Sequence, residues 1–429
     1  MLIMLLALFL VTMFLGTPIA FSMSFSALAA NLSKGAVSLM LAAQQCYDST
    51  SNLSLLAVPF FMLAGNIMNM GGISRRLINF CRLFVGRIRG GLAIVAVLAS
   101  MIFAAISGSG PATVAALGVF MIPAMMEDGY DVGFAGALMA SAGSLGIIIP
   151  PSIPMVLYAS LAGCSVGTMF CAGVVPGIVL GLVMMIYSYI VARIKGYKPA
   201  PLNTPTFKDK VKVFVDGIPA IMMPVIILGG IYTGFFTPTQ ASGIAVIYGL
   251  ILGVFVYKEI TFAQIKKMFI ESGITAASAM LIVSLADGFN WIITTNRVPK
   301  LLSDWLLGIF TTPAGILIAL VVLLTIIGCF MSVNAAMIVL TPILVPVMSS
   351  FGVSPIVLGV VIIICTSLGM VTPPFGVNLF ISAGIAKVPF DCMVKQAFIL
   401  TALLLASLLV MVFIPEIITF LPKLLGMRL

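Results

Sequence analysis

The chain has 429 residues, of which 62% are hydrophobic and only 8% charged, with a formal net charge of +9 and no histidine. A mean hydropathy of +1.27 lies outside the range of water-soluble domains, so the basic charge marks membrane orientation rather than nucleic-acid binding. A bilayer core about 30 Å thick takes roughly 20 apolar residues per helix, and this length holds about ten crossings in one integrated membrane domain.

Leu2 to Ala30 reads as a retained first span, because the first charged residue is Lys34 and no basic start or cleavage site of a secretory signal precedes it. Further crossings are expected at 52–70, 131–163, 165–193, 218–235, 240–257, 271–291, 354–386 and 396–421. Segments 73–89, 262–270 and 297–306 mix charges with apolar residues and read as interfacial amphipathic helices. The stretch 195–216, with Pro199, Pro201 and Pro205, reads as a cytoplasmic linker between two halves. With the N-terminus inside, three basic groups fall on the cytoplasmic side: the arginines from Arg75 to Arg89, the cluster from Arg193 to Lys212, and Lys258, Lys266 and Lys267. The odd count of crossings puts the C-terminus outside, where Lys423 and Arg428 run mildly against the rule.

Two apolar stretches do not read as simple crossings. Gly91 to Met126 is divided by "ISGSGPA" and Pro313 to Ser349 by "CFMSVNAA", leaving arms near 15 residues, about 23 Å long and too short to span. Both are expected to be re-entrant helical hairpins, whose irregular tips must be buried in protein or line a wet cavity.

The halves repeat at a constant shift of 223 positions. Ser109 falls on Ser332, Pro123 on Pro346, Gly129 on Gly352, and "SLGIIIPP" on "SLGMVTPP". Five crossings separate the hairpins, an odd number, so they enter from opposite faces. An inverted repeat with broken helices meeting near the midplane is the plan of secondary transporters. Proline removes a backbone donor and clashes with the preceding turn, so Pro150-Pro151 and Pro373-Pro374 should unwind their spans. That exposes the carbonyls of Gly146 to Ile149 and Gly369 to Thr372 opposite the tips Ser107 to Pro111 and Ser332 to Asn334. Such oxygens suit an alkali cation, and the half-helix N-termini near Ala112, Ser152, Ala335 and Phe375 suit a carboxylate. The plainer alternative is that each diproline is a kink and each tip a close helix contact.

Proton coupling draws on titratable groups inside the membrane, and Asp287 is the one acid well inside an apolar run, with Arg297 nearby at the expected outer interface. Sodium needs only neutral oxygens and is favoured as the coupling ion. The chain has no phosphate-binding loop G-x-x-x-x-G-K-[ST] and no H-E-x-x-H or G-x-S-x-G, so no enzymatic activity is expected. An intramembrane enzyme using Ser107 or Ser109, and a channel, are remote alternatives. The seven cysteines contain no CxxC and, without histidine, offer no transition-metal or haem site.

"GTPIAF", "VPFFMLAGNIM", "SGSGPATVAALG", "GIIIPPSIPMVLYA", and "LTPILVPV" followed by "TPPFGVNLF" resemble the large membrane subunit of tripartite ATP-independent periplasmic (TRAP) transporters over nearly the whole chain. The resemblance implies a sodium-driven, elevator-type importer of organic acids in the bacterial inner membrane, working with a small four-helix membrane subunit and a periplasmic substrate-binding protein. It implies an all-α polytopic fold with two re-entrant hairpins and two broken helices. The chain would divide into scaffold at 1–90, the first transport repeat at 91–163, scaffold and linker at 164–312, the second transport repeat at 313–386 and a final helix at 387–429. One sodium site would lie among Ser107, Ser109, Gly146, Ile149 and Pro151, and the other among Gly328, Ser332, Asn334, Gly369 and Thr372. Substrate would sit between the tips, touching Ser107, Ser152 and Thr372. Many members carry an aspartate where Ser332 stands here, which leaves an acidic role at the second tip in doubt. Sialic acid is the first expectation for substrate, ahead of C4-dicarboxylates and sugar acids. The rival class is a sodium/carboxylate symporter of similar plan that needs no binding protein.

Overall fold

The computed structural model describes residues 2–34, 39–86, 88–197, 207–310, 312–373 and 376–427, and every regular element among them is helical. Eight helical stretches among the described residues are long and apolar enough to cross a membrane.

The N-terminal part holds α1 (Leu2–Phe14), α2 (Ile19–Lys34), α3 (Leu39–Thr50), α4 (Ala57–Met70) and α5 (Ile73–Val85). The expected single span at 2–30 is therefore two helices. Gly16, at φ +84°, and Pro18 end the first and start the second, a conformation and a ring that a continuous helix does not accept. Helix α3 was not expected. Helix α5 matches the amphipathic segment after the second crossing: Ile73, Leu77, Ile78 and Cys81 are buried along one stripe.

The first repeat comprises α6 (Gly91–Ser107), α7 (Gly110–Glu127), α8 (Val132–Ser144) and α9 (Ile153–Ala162). Only Gly108 and Ser109 join α6 to α7. Gly108 at φ +60° turns the chain, and the Ser109 hydroxyl caps α7 by accepting from the Ala112 amide. The arms are 17 and 18 residues rather than near 15, so length alone does not make them re-entrant. Burial does: Ser107 is 4% exposed and the tip lies inside the protein, where lipid never meets its unpaired backbone. Between α8 and α9 the chain passes through a single 3-10 turn, Leu145–Ile147, and then leaves helical geometry at the diproline.

Helices α10 (Val166–Ile194), α11 (Phe207–Tyr232), α12 (Pro238–Leu250, continued as a π-helical stretch to Val256) and α13 (Phe262–Thr295) follow. The expected linker is shorter than 195–216, because α11 already begins at Phe207; residues 198–206 lie outside the described ones. The expected interfacial helix 262–270 and crossing 271–291 are one element. A capping box between Thr261 and Gln264 starts α13, and nothing breaks it over 34 residues, about 51 Å. The short α14 (Val298–Leu307) matches the expected interfacial segment.

The second repeat comprises α15 (Pro313–Phe330), α16 (Val333–Ser350), α17 (Pro355–Gly369) and α18 (Val377–Ala386). It follows the first at the expected shift, each helix end within two residues of its counterpart. Helices α7 and α16 start at 110 and 333 and end at 127 and 350. Ser332 caps α16 through the Ala335 amide as Ser109 caps α7 through that of Ala112. Gly129 and Gly352 both take positive φ after the hairpin, and Asp131 and Ser354 both cap the helix that follows. Five membrane-crossing elements separate the hairpins (broken α8/α9, then α10, α11, α12 and α13), which keeps the repeat inverted.

The centre of the molecule is where the copies meet. Every residue from Gly133 to Ser144 and from Ile356 to Gly369 is buried, so α8 and α17 are enclosed all round. Ser367 donates to the Ser144 carbonyl at 2.8 Å, and these two residues hold the same position in the two copies. Equivalent residues touch only at a twofold axis, which the pair therefore marks. Glycines bring the layers close: a Cβ on Gly136 would strike Met393, and one on Gly359 would strike Tyr158. The expected crossing at 396–421 is α19 (Asp391–Phe413) ending before Pro415, with a separate α20 (Glu416–Leu424) beyond it.

Candidate functional site

A cavity of about 420 Å³ lies where both hairpin tips converge. Hairpins that enter from opposite faces can share one cavity only if each stops part-way through the membrane. Its lining takes Ser107, Gly108, Ser109, Pro111 and Ala112 from the first tip and Ser332, Val333 and Asn334 from the second, with Ile147, Ile153, Pro154 and Met370 from the two breaks. Met62, Gly65, Asn66 and Asn69 of α4 and Glu271, Ser272 and Thr275 of α13 complete it, and α4 packs on the first tip, where a Cβ on Gly65 would lie 2.9 Å from the Ser107 carbonyl oxygen.

The first tip is a cluster of oxygens. The Ser107 and Thr113 hydroxyls lie 2.9 Å apart, and Thr113 donates to the Ser109 carbonyl at 2.8 Å. Gly146 sits directly against this cluster: a Cβ there would lie 2.5 Å from the Ser109 carbonyl oxygen and 2.6 Å from the Thr113 hydroxyl. The structure thus brings Ser107, Ser109 and Gly146 together as expected, and adds Thr113. The Pro151 carbonyl backs the tip beside Gly108. Ile149 contributes no side chain here, since it packs on Gly177 of α10.

At the second tip Gly328 and Gly369 meet backbone to backbone, a Cβ on Gly369 falling 2.3 Å from the Gly328 carbonyl carbon. The break is folded on itself. The Thr372 amide donates to the Gly369 carbonyl and its hydroxyl to that of Leu368. Ser332 and Asn334 line the cavity, whereas Thr372 does not. Ser152 is likewise turned inward, 1% exposed and donating to the Ile147 carbonyl at 2.7 Å. Of the three hydroxyls expected to touch substrate, only Ser107 faces the cavity in this structure.

Electrostatically, α7, α9 and α16 each present an N-terminus to the cavity. Each carries roughly half a positive charge and unpaired amides, a fit for an anionic group. Glu271 is the one charged side chain lining the cavity among the described residues, and Lys267 one turn away stands 3.7 Å from it. Asn66 donates to the Ser272 hydroxyl at 3.2 Å, tying α4 to α13. The sequence pattern places the edge of a crossing at 271 and gives no sign of the polar side chains that α4 and α13 bring here. Asp287, singled out there, lies instead in the interior of α13 close to α3, where Ser284 donates to the Cys46 carbonyl.

The family model described as "Tripartite ATP-independent periplasmic transporter, DctM component" matches residues 6–417. Among curated relatives, the isethionate TRAP transporter permease protein DctMQ of Oleidesulfovibrio alaskensis is 41% identical over 96% of this chain, which spans 65% of that protein's length. The C4-dicarboxylate TRAP transporter large permease protein DctM of Pseudomonas aeruginosa is 40% identical over 89% of both chains. The sialic acid TRAP transporter large permease protein SiaM of Vibrio cholerae is 35% identical over 96% of both. Among solved structures, the YdaH transporter of Alcanivorax borkumensis superposes with a TM-score of 0.64 at 15% identity, over 85% of this chain and 84% of that one, and so shares the fold. The match over nearly the whole length, on top of the paired hairpins, places the chain in the DctM family: it is a TRAP transporter large permease, a multi-pass protein of the bacterial inner membrane and not an enzyme.

Proposed function

We propose that this permease imports an organic acid anion by sodium symport, moving the two hairpins and broken helices as one body against a scaffold that includes α4 and α13. The observation that carries this reading is one cavity lined by both hairpin tips together with α4 and α13. Helix N-termini on the hairpin side supply anion binding, while the oxygen cluster of Ser107, Ser109 and Thr113 against Gly146 supplies neutral cation ligands. The second cation site lies around Gly328, Ser332, Asn334, Gly369 and Thr372. Substrate arrives from a periplasmic binding protein, and a small membrane subunit completes the complex, as the tripartite family description supports. An opening of the cavity toward the cytoplasm is supported by the basic residues near its rim: Asn69 at the end of α4 comes just ahead of Arg75 and Arg76, and Glu271 one turn past Lys266 and Lys267.

Relatives named for isethionate, C4-dicarboxylates, 2,3-diketo-L-gulonate and sialic acid all resemble the chain to a similar degree, so sialic acid is one acid to test among these. The test is uptake of a panel of organic acids into liposomes holding this chain with its small membrane subunit, supplied with the cognate binding protein. Uptake should require an inward sodium gradient, and equal uptake with potassium in place of sodium would refute the coupling.

A further inference from the structure

The groups that line the cavity are of two kinds. The N-termini of α7, α9 and α16 attract negative charge, whereas α4 and α13 bring a carboxylate, two asparagine amides and two hydroxyls, with no cationic side chain among the described lining residues. We infer that Glu271 is a specificity-determining residue that selects acids with a single anionic end and a hydroxylated remainder, and rejects dicarboxylates. The inference rests on the cavity being the organic-acid site proposed above.

The chemistry follows from the geometry. An acid whose one anionic group docks at the N-termini of α7, α9 and α16 keeps the rest of its length in the same cavity, which the polar side chains of α4 and α13 also line. A hydroxyl or amide N–H there donates to the Glu271 carboxylate and pairs with Asn66, Asn69 or Thr275. A second carboxylate in the same place only accepts, faces a like charge and leaves acceptors opposed to acceptors. Lys267 tempers this effect from 3.7 Å, on the exposed face of α13 and outside the cavity lining. Both side chains of the pair are about half exposed or more, so solvent screens the repulsion and discrimination is expected on the order of tenfold rather than thousandfold.

Ligand binding to the purified full chain in detergent, read as the rise in melting temperature with sodium present, tests the permease cavity without the binding protein's own selectivity. The hydroxylated mono-acids are gluconate, glucuronate, N-acetylneuraminate and isethionate; the dicarboxylates are succinate, fumarate and malate. At least one mono-acid should half-saturate about tenfold lower than every dicarboxylate. Glu271→Gln should shrink that ratio to about two or below, and Lys267→Gln, which unmasks the carboxylate, should widen it. A dicarboxylate binding as tightly as the best mono-acid, or a ratio that neither variant moves, overturns the inference and leaves the cavity's role standing. Stabilisation by none of the acids overturns both together.

Discussion

Gly369→Ala is the substitution whose effect is most closely set by geometry. A Cβ at Gly369 would lie 2.3 Å from the Gly328 carbonyl carbon, 2.6 Å from its Cα and 2.7 Å from the Cys329 amide nitrogen. Ordinary contact begins near 3.4 Å, so α15 and α17 must part by about 1.1 Å. Every struck atom is backbone, and no side chain can swing aside. Overpacking a buried contact costs about 1–3 kcal/mol, and a backbone-on-backbone clash belongs at the upper end, about 3 kcal/mol. Gly384 in α18 is the control, since nothing stands within 4 Å of its Cβ position and a helix-interior Gly→Ala change there gains about 1 kcal/mol in propensity. Melting in detergent, followed with a thiol-reactive dye that reports exposure of the buried Cys329 and Cys365, should place Gly369→Ala well below wild type and Gly384→Ala at or above it. Repeating the melts in sodium and in potassium adds a second readout. An ion at a hundred times its Kd stabilises by about 2.7 kcal/mol, and Gly369→Ala should lose most of that increment. If Gly369→Ala melts with Gly384→Ala, the two helix ends are not packed as described and the argument fails.

The remaining predictions concern the repeat and its caps. Ser109→Ala and Ser332→Ala should each lower stability by about 1 kcal/mol through loss of a helix cap, whereas Ser332→Gly should lower it by only a few tenths; equal losses from alanine and glycine at 332 would count against a capping role. Glu127→Cys and Ser350→Cys, the last residues of α7 and α16, should react with an impermeant thiol reagent from opposite membrane faces in a background lacking the seven native cysteines. Labelling from one face would disprove the inversion. Tyr158→Phe removes the hydroxyl that donates to the Pro355 carbonyl at 2.6 Å between the two repeats and should cost about 1 kcal/mol in the same melting assay. An unchanged melting point would mean the bond contributes nothing net.

Glycine, proline and serine make the two hairpin repeats legible. Ser109, Ser332, Gly129 and Gly352 each take a backbone role that few other residues fill, so their spacing carried the hairpins, the breaks and the repeat into the sequence pattern. The part of the cavity lining that α4 and α13 supply is hidden because its residues sit mid-helix. Asn66, Asn69, Ser272 and Thr275 interrupt no helix, and at Glu271 the change from charged to apolar residues looked like a membrane boundary although α13 runs straight through it. The N-terminal pair α1 and α2 was misread for the converse reason, as hydropathy stayed high across the Gly16-Thr17-Pro18 break. Where the hydroxyls of Ser152 and Thr372 point was beyond any pattern, since each is fixed by a carbonyl that the break itself brings round.

The contact of Ser367 with Ser144 has a consequence for how the permease changes state. In a homodimer, a residue on the symmetry axis meets its own copy; here one chain has built that self-pairing internally. Because the copies are inverted about that axis, the proposed movement of both as one body would keep the Ser144–Ser367 contact, and each copy would come to face its surroundings as the other now does. The two states would then be equal in energy were the copies identical, so the balance between them is written in the mismatched positions, such as Ile149 against Thr372 and Met155 against Asn378. Exchanging residues across such a mismatched pair would tilt the resting orientation while leaving the axis itself untouched.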